Sequence, residues 1–249
     1  PTAAEFAAEL RRWLDDEARR RGTSVYLPDR CIPMLPESLS NGLCSLVPNV
    51  DRLCLLVEME LDEVGHVRKT KFSRAVMRSH ARLTYNRVAR ALEGEPDAEC
   101  APLLPTLLLL SAVARQLRER RFRRGAIDLD LDEPMVRFDA TGRPVDVVKR
   151  ARTEAHRLIE DLMLVTNQVV ASHFVEREMA SVFRVHDDPD PDKFELFLGM
   201  CRELGFHAKP KTKPDSGEIA RLVEELSTHP SGPVLQRSLL RSLSQAHYD

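Results

Sequence analysis

The stretch "RTEAHRLIEDLMLVTNQVVASHFVERE", residues 152–178, most constrains what this chain can fold into. Leu158, Leu162, Val165, Val169 and Phe174 recur at the spacing of one helix face, so the pattern predicts a long helix with an apolar stripe. Such a stripe needs another layer to pack on. Residues 2–21 predict a helix with Phe6, Leu10, Trp13 and Leu14 on one face. "RLCLLVEMELDEVGHVRKTKFSRAVMRS" alternates around "DEVGH" and predicts a β-hairpin, strands near 52–61 and 67–78. The first of these strands is apolar on both faces and is expected inside a sheet. "LTYNRVARAL" predicts a short helix. Residues 102–123 predict a longer one, buried at its "APLLPTLLLLSAVA" start and stopped by Gly125.

"AIDLDL", "MVRFD" and "PVDVVKR" read as three short strands, the last two joined at "ATGR", and "SVFRVH" reads as a fourth. "DPDPDKFELFLGMCRELG" predicts a helix with Asp190 as N-cap and Pro191 at its first position. Two more helices, near 215–227 and 232–245, close the chain. No internal repeat or low-complexity linker interrupts it. The sum is an α+β fold, a mixed sheet with packed helices.

Composition excludes more than it selects. With 43% hydrophobic and 31% charged residues over 249 positions, the chain reads as an ordinary globular protein. A net charge of −2 gives no global pull toward nucleic acid or membrane. The most apolar run is too short to span a bilayer, so no membrane contact is expected. Five cysteines without CxxC spacing predict reduced thiols in a cytoplasmic protein, with neither a zinc site nor a disulfide framework.

Of the 37 basic residues 30 are Arg, the side chain suited to bidentate phosphate contacts, although an Arg-rich composition also has compositional causes. "RQLRERRFRR" gathers six of them around Phe122, either as phosphate contacts or as a solvated helix end. Asp128, Asp130 and Asp132 alternate with apolar residues; the wet face of a half-buried strand explains them better than a metal site does. No HExxH, GxSxG, P-loop or GxGxxG pattern is present. Glu160 and Asp161 are neighbours on the long helix, so only one of them can face the core.

Longer blocks say more. "RGTSVYLPDRCIPMLPESLSNGLCSL", "VDRLCLLVEMELDEVGHV", "ARLTYNRV", "RRGAIDLDLDEP", "GRPVDVVKRARTEAHRLIEDLMLVTNQVVA", "FRVHDDPDPDKFELF" and "LLRSLSQAHY" follow one another in this order. In that order they closely resemble the catalytic (RNB) domain of the ribonuclease II and ribonuclease R family, with the ribonuclease R branch closer. Residues 14–249 are expected to form a central portion of such a domain, and residues 1–13 a divergent helical start.

The resemblance implies a processive 3′-to-5′ exoribonuclease that hydrolyses single-stranded RNA to nucleoside monophosphates with magnesium. It implies that Tyr26 stacks on bases near the 3′ end, which needs a π-face and no sequence-reading contact. It implies that Tyr85 and Glu160 sit by the last nucleotides and help select ribose, whose 2′-hydroxyl both donates and accepts. Leu129 stands where the family often has a Phe that completes the base clamp. Arg121 and Arg124 are the candidate phosphate contacts, three residues apart on one helix face.

The family's magnesium site is an Asp cluster, D-x5-D-x-D-D, upstream of the matching blocks, and a "TSPIRRY"-type segment follows them; neither occurs in this sequence. The expectation is therefore a monomeric chain that carries part of the RNA channel, holds no metal ligand, and is inactive in isolation. The alternative is a non-catalytic RNA-binding or scaffolding relative.

Overall fold

The computed structural model describes residues 2–95, 97–127, 134–206 and 214–249. The expected strand at "AIDLDL", with Leu129 and the three alternating aspartates, runs from 128 onward outside the described residues. The chain forms two compact units: Pro1–Glu58, Lys71–Thr84 and Asp132–Ala151 make one, and Met59–Thr70, Tyr85–Leu131 and Arg152–Asp249 make the other.

The first unit opens with α1 (Ala3–Arg21). Thr2 and Glu5 close its N-terminus in a reciprocal capping box, at 3.3 Å from the Glu5 amide and 2.7 Å from the Thr2 amide. Its expected apolar face stays largely open, because Leu10 and Trp13 are exposed. The strands β1 (Val25–Tyr26) and β2 (Cys31–Ile32) pair antiparallel, with Tyr26 opposite Cys31. β3 (Asp51–Leu61) pairs with β4 (Val67–Arg78). β5 (Pro134–Phe138) pairs antiparallel with β6 (Pro144–Lys149).

The α+β class holds, but the strands described here form separate two-stranded ribbons instead of one mixed sheet. β3 correspondingly departs from the expected interior strand: Leu53 and Leu55 are 87% and 83% exposed. Its two apolar faces come from sequence, whereas burial needs a layer over each, and among the described residues only β4 pairs with it.

The tip of the same hairpin belongs to the second unit. Asp62 closes it by accepting from the Val64 and His66 amides, at 3.0 and 2.7 Å, and Gly65 takes the positive φ that the turn requires. Burial raises the Asp62 pKa, but these backbone donors, His66 and Arg68 outweigh it and bring it down to about 2.

Every fully buried apolar side chain among the described residues lies in this second unit. α2 (Tyr85–Leu92) packs Val88, Ala89 and Ala91 against α3 (Leu104–Arg123) and α4 (Glu154–Glu176). α3 buries Ser111, Ala114 and Leu117; Leu108 and Leu109, in its apolar start, remain exposed. α4 buries Ala155, Leu158, Asp161 and Val165, so the predicted stripe is real but includes a carboxylate.

A second core joins α5 (Pro191–Glu203), α6 (Ser216–Ser227) and α7 (Gly232–Ser242) around Phe197, Leu226, Leu235 and Leu239. Asp190 caps α5 by accepting from the Asp192 and Lys193 amides. Short strands β7 (Arg184–Val185) and β8 (His247–Tyr248) pair antiparallel. All five cysteines are free thiols, and burial pushes Cys201 up to about 11. No helix among the described residues is long and apolar enough to cross a membrane.

Gly125 ends α3 as expected. The Gly125 amide reaches Phe122 O at 2.9 Å and the Ala126 amide reaches Arg121 O at 3.1 Å, while Gly125 holds φ +85°. A Cβ there would also lie 2.8 Å from the Gly217 amide nitrogen at the start of α6. Gly125→Ala is therefore expected to lower stability by roughly 2–4 kcal/mol, combining left-handed backbone cost with overpacking, as read by urea unfolding.

The hairpin tip should respond to acid. Because the folded Asp62 pKa is depressed, its contribution is present above the ordinary aspartate value of about 4 and is lost as pH falls toward about 2. Amide resonances of Val64 and His66 should shift across that window, and Asp62→Asn should abolish the transition.

Candidate functional site

The site grows from a charge that α4 buries. Asp161 has 1% of its side chain exposed and gives one oxygen to each of two arginines on α3. Arg118 Nε donates to Oδ2 at 2.8 Å and Arg121 Nη2 donates to Oδ1 at 3.1 Å. Arg118 also grips Glu154, about two turns earlier on α4, with both terminal nitrogens at 3.0 and 3.1 Å. Burial works against the Arg118 charge, but the hydrogen bonds and charges of Glu154 and Asp161 outweigh it and raise its pKa. Arg118 and Arg121 reach the same partner because residues three apart share a helix face.

Glu160, the next residue, turns away from this buried pair and is half-exposed. Arg152, just before α4, donates to Oε2 at 2.6 Å, and Arg121 Nη2 stands 3.6 Å from Oε1. Arg121 thus touches both neighbouring carboxylates.

One turn earlier, His156 Nδ1 faces the Thr153 amide at 3.2 Å and the Thr153 hydroxyl at 2.8 Å, which closes the α4 N-terminus. Its ring stacks on Tyr85 with centroids 4.0 Å apart and planes 16° from parallel. Tyr85, first residue of α2, is nonetheless 45% exposed. His156 and Glu160 are four residues apart, so the aromatic pair and the carboxylate share one face of α4, about 6 Å apart along the axis.

The structure therefore brings together three of the predicted residues, Tyr85, Glu160 and Arg121. Arg124 lies one turn beyond Arg120 at the α3 end and lines two adjoining hollows. Tyr26 lies in the first unit with 80% of its surface exposed. Leu129 lies outside the described residues. Sequence reasoning missed Asp161, Arg152 and His156. A signal existed in Glu154 and Asp161, seven apart on the apolar stripe, opposite Arg118 and Arg121 on α3.

Magnesium finds no fit here. Among the described residues no three His, Cys, Asp or Glu side chains converge to hold a metal, and arginines already occupy Glu160 and Asp161.

Residues 6–249 match the RNB domain family. The chain belongs to that family. Ribonuclease R of Escherichia coli (strain K12) is similar at 43% identity over 239 residues, covering 95% of this chain and 29% of that relative. Mycoplasma genitalium RNase R, solved with ribose-methylated single-stranded RNA, is 30% identical with a TM-score of 0.88. That match covers 95% of this chain and 37% of that one. The same enzyme solved with double-stranded RNA matches with a TM-score of 0.89 over 95% of this chain and 42% of that one. The chain thus spans less than half the length of the relatives it matches.

Breaking the anchor of this cluster should cost stability first. Asp161→Asn leaves Arg118 buried with Glu154 alone and Arg121 with Glu160 alone, so unfolding free energy should fall by roughly 3 kcal/mol, as urea denaturation would read.

Proposed function

We propose that this chain supplies the RNA-holding portion of a 3′-to-5′ exoribonuclease of the ribonuclease R type. The observation that carries the reading is the shared face of α4, where the Tyr85–His156 stack sits one turn from Glu160. The exposed part of Tyr85 offers a platform for a terminal sugar and base. Its hydroxyl can donate or accept, and the Glu160 carboxylate accepts, so together they complement a 2′-hydroxyl. Arg152 and Arg121 hold that carboxylate in place instead of leaving it to swing. Tyr26 supplies stacking for a further base.

The likeness to RNase R solved with RNA, at 30% identity, supports the same reading. In the proposal the parent enzyme uses magnesium for hydrolysis, through ligands not assigned among the residues described here, and works as a cytoplasmic monomer. The 249-residue chain alone binds the strand without cutting it.

A matched pair of labelled oligomers, oligo(rA) and oligo(dA), tests this. The wild-type chain should prefer the ribose strand. Tyr85→Phe and Glu160→Gln should each reduce that preference about 2- to 10-fold, the worth of one hydrogen bond. Tyr26→Ala should weaken both strands by roughly 5- to 150-fold, since stacking ignores the 2′-position. Equal affinity of the wild type for both strands would overturn the ribose-selecting role. Release of monophosphates in magnesium, above a mock preparation, would overturn the inactivity of the isolated chain. Reading the coding DNA upstream of Pro1 separates an exoribonuclease from a non-catalytic relative, because only the former needs an in-frame Asp cluster there.

A further inference from the structure

Two hollows lie end to end along α3 and α4 and share Arg120, Arg124, Val165 and Gln168. The smaller, about 230 Å³, adds Arg121 and Asp161 to its lining. The larger, about 440 Å³, opens toward the hairpin tip and adds Arg68 and Lys69. We infer that this trough binds the phosphodiester backbone of the RNA strand, with one phosphate seated beside the Arg121 guanidinium. The inference deepens the RNA-binding reading by assigning a path for the strand beyond the Glu160 end of the site.

Charge is the first argument. The trough is lined by five cations, Arg68, Lys69, Arg120, Arg121 and Arg124, against the carboxylates Asp161 and Glu176. Arg118, which is not part of the lining, already offsets Asp161. Four of the five have partners: Arg121 holds Asp161 and stands 3.6 Å from Glu160, Arg120 donates to Gly65 O, and Arg68 and Lys69 pair with carboxylates of the hairpin. Arg68 meets Asp62 at 2.7 Å and Lys69 meets Glu60 at 3.1 Å, with both basic side chains about 70% exposed. The Lys69–Glu60 pair, open to water on both sides, contributes little and exchanges readily for a phosphate. The partial negative charge at the C-terminus of α3 opposes an anion, but only over its last turn, where Arg120, Arg121 and Arg124 already gather.

The second argument is access to Arg121. Its side chain is 26% exposed and bounds the smaller hollow, while Nη2 holds Asp161. A phosphate oxygen in that hollow would meet the exposed part of the same guanidinium, a charge-assisted pairing suited to the arginine fork.

The third argument is rigidity and spacing. Arg120 Nη1 donates to Gly65 O at 2.8 Å, which ties the α3 end to the hairpin tip. The side chain of Gln116 also reaches the Glu63 carbonyl. The cations from the two elements therefore keep a fixed arrangement. Arg120 and Arg124 stand about 6 Å apart along the helix axis, on the order of the step between successive phosphates of an extended strand. That regular spacing of guanidinium forks favours a polyphosphate backbone over an acidic peptide.

The test is a salt titration of oligo(rA) affinity for the full 249-residue chain, from roughly 50 to 200 mM monovalent salt. Lys69→Gln with Arg124→Gln removes one cation from each side of the trough and leaves Arg121, which has a structural partner, intact. Both side chains are exposed, so the thermal melt should match wild type. The slope of log K against log salt should flatten by about 1.4, that is about 0.7 for each of two lost phosphate contacts. Oligo(dA) should show the same flattening, since the backbone is read. Arg202→Gln with Arg237→Gln, exposed on α5 and α7, removes equal charge elsewhere and should leave the slope unchanged.

An unchanged slope in the trough variant, or equal flattening in the control, overturns the inference. So does binding of an acidic peptide that the trough variant abolishes while its RNA slope stays at the wild-type value. A wild-type chain that binds RNA without ribose preference sinks only the role given to Tyr85 and Glu160. A chain that binds no RNA sinks both.

Discussion

Asp161 is a carboxylate removed from water, and the geometry around it follows from the need to pay for that removal. A lone buried charge is strongly unfavourable, so the chain surrounds it with two guanidinium groups whose positions α3 fixes. Ala114 on α3 and Ala155 on α4 are buried small residues on those two helices. The register that brings Arg118 between Glu154 and Asp161 also turns Glu160 outward and sets Arg121 beside it. A purely apolar α3–α4 contact would pack as densely but could slide by a turn. The ionic clamp specifies one alignment, and the face that carries Tyr85, His156 and Glu160 inherits it.

The two units divide the work unevenly. The second has the buried helical cores, the clamp and the hollows, while the first is built of ribbons whose apolar side chains stand open. The site residues expected from the sequence fall on both sides of this division. Tyr26 belongs to the ribbon unit, and Tyr85, Glu160, Arg121 and Arg124 to the helical one.

Periodic and local signals were legible in the sequence. The helix at 154–176, the hairpin, the Asp190 cap and the Gly125 stop each depend on residues close together in the chain. What was not legible depends on pairs far apart. That either Glu160 or Asp161 must face inward follows from helix geometry, but which one depends on arginines some forty positions earlier. The Arg run was read as solvated or as phosphate-facing, and the structure adds a third use, since Arg118 and Arg121 serve the fold itself. β3 misled for a related reason: apolarity on both faces records what a strand can bury, not what covers it.

The order of segments has a practical meaning for anyone wishing to dissect the molecule. Pieces of the two units alternate, running 1–58, 59–70, 71–84, 85–131, 132–151 and 152–249. Neither can be cloned as one uninterrupted reading frame. A protease nick in the hairpin would leave both halves threaded through the same bodies, and a terminal deletion long enough to remove one unit would carry away pieces of the other. Separating them would need new loops that rejoin cut ends, so in genetic terms the chain is a single, indivisible cassette.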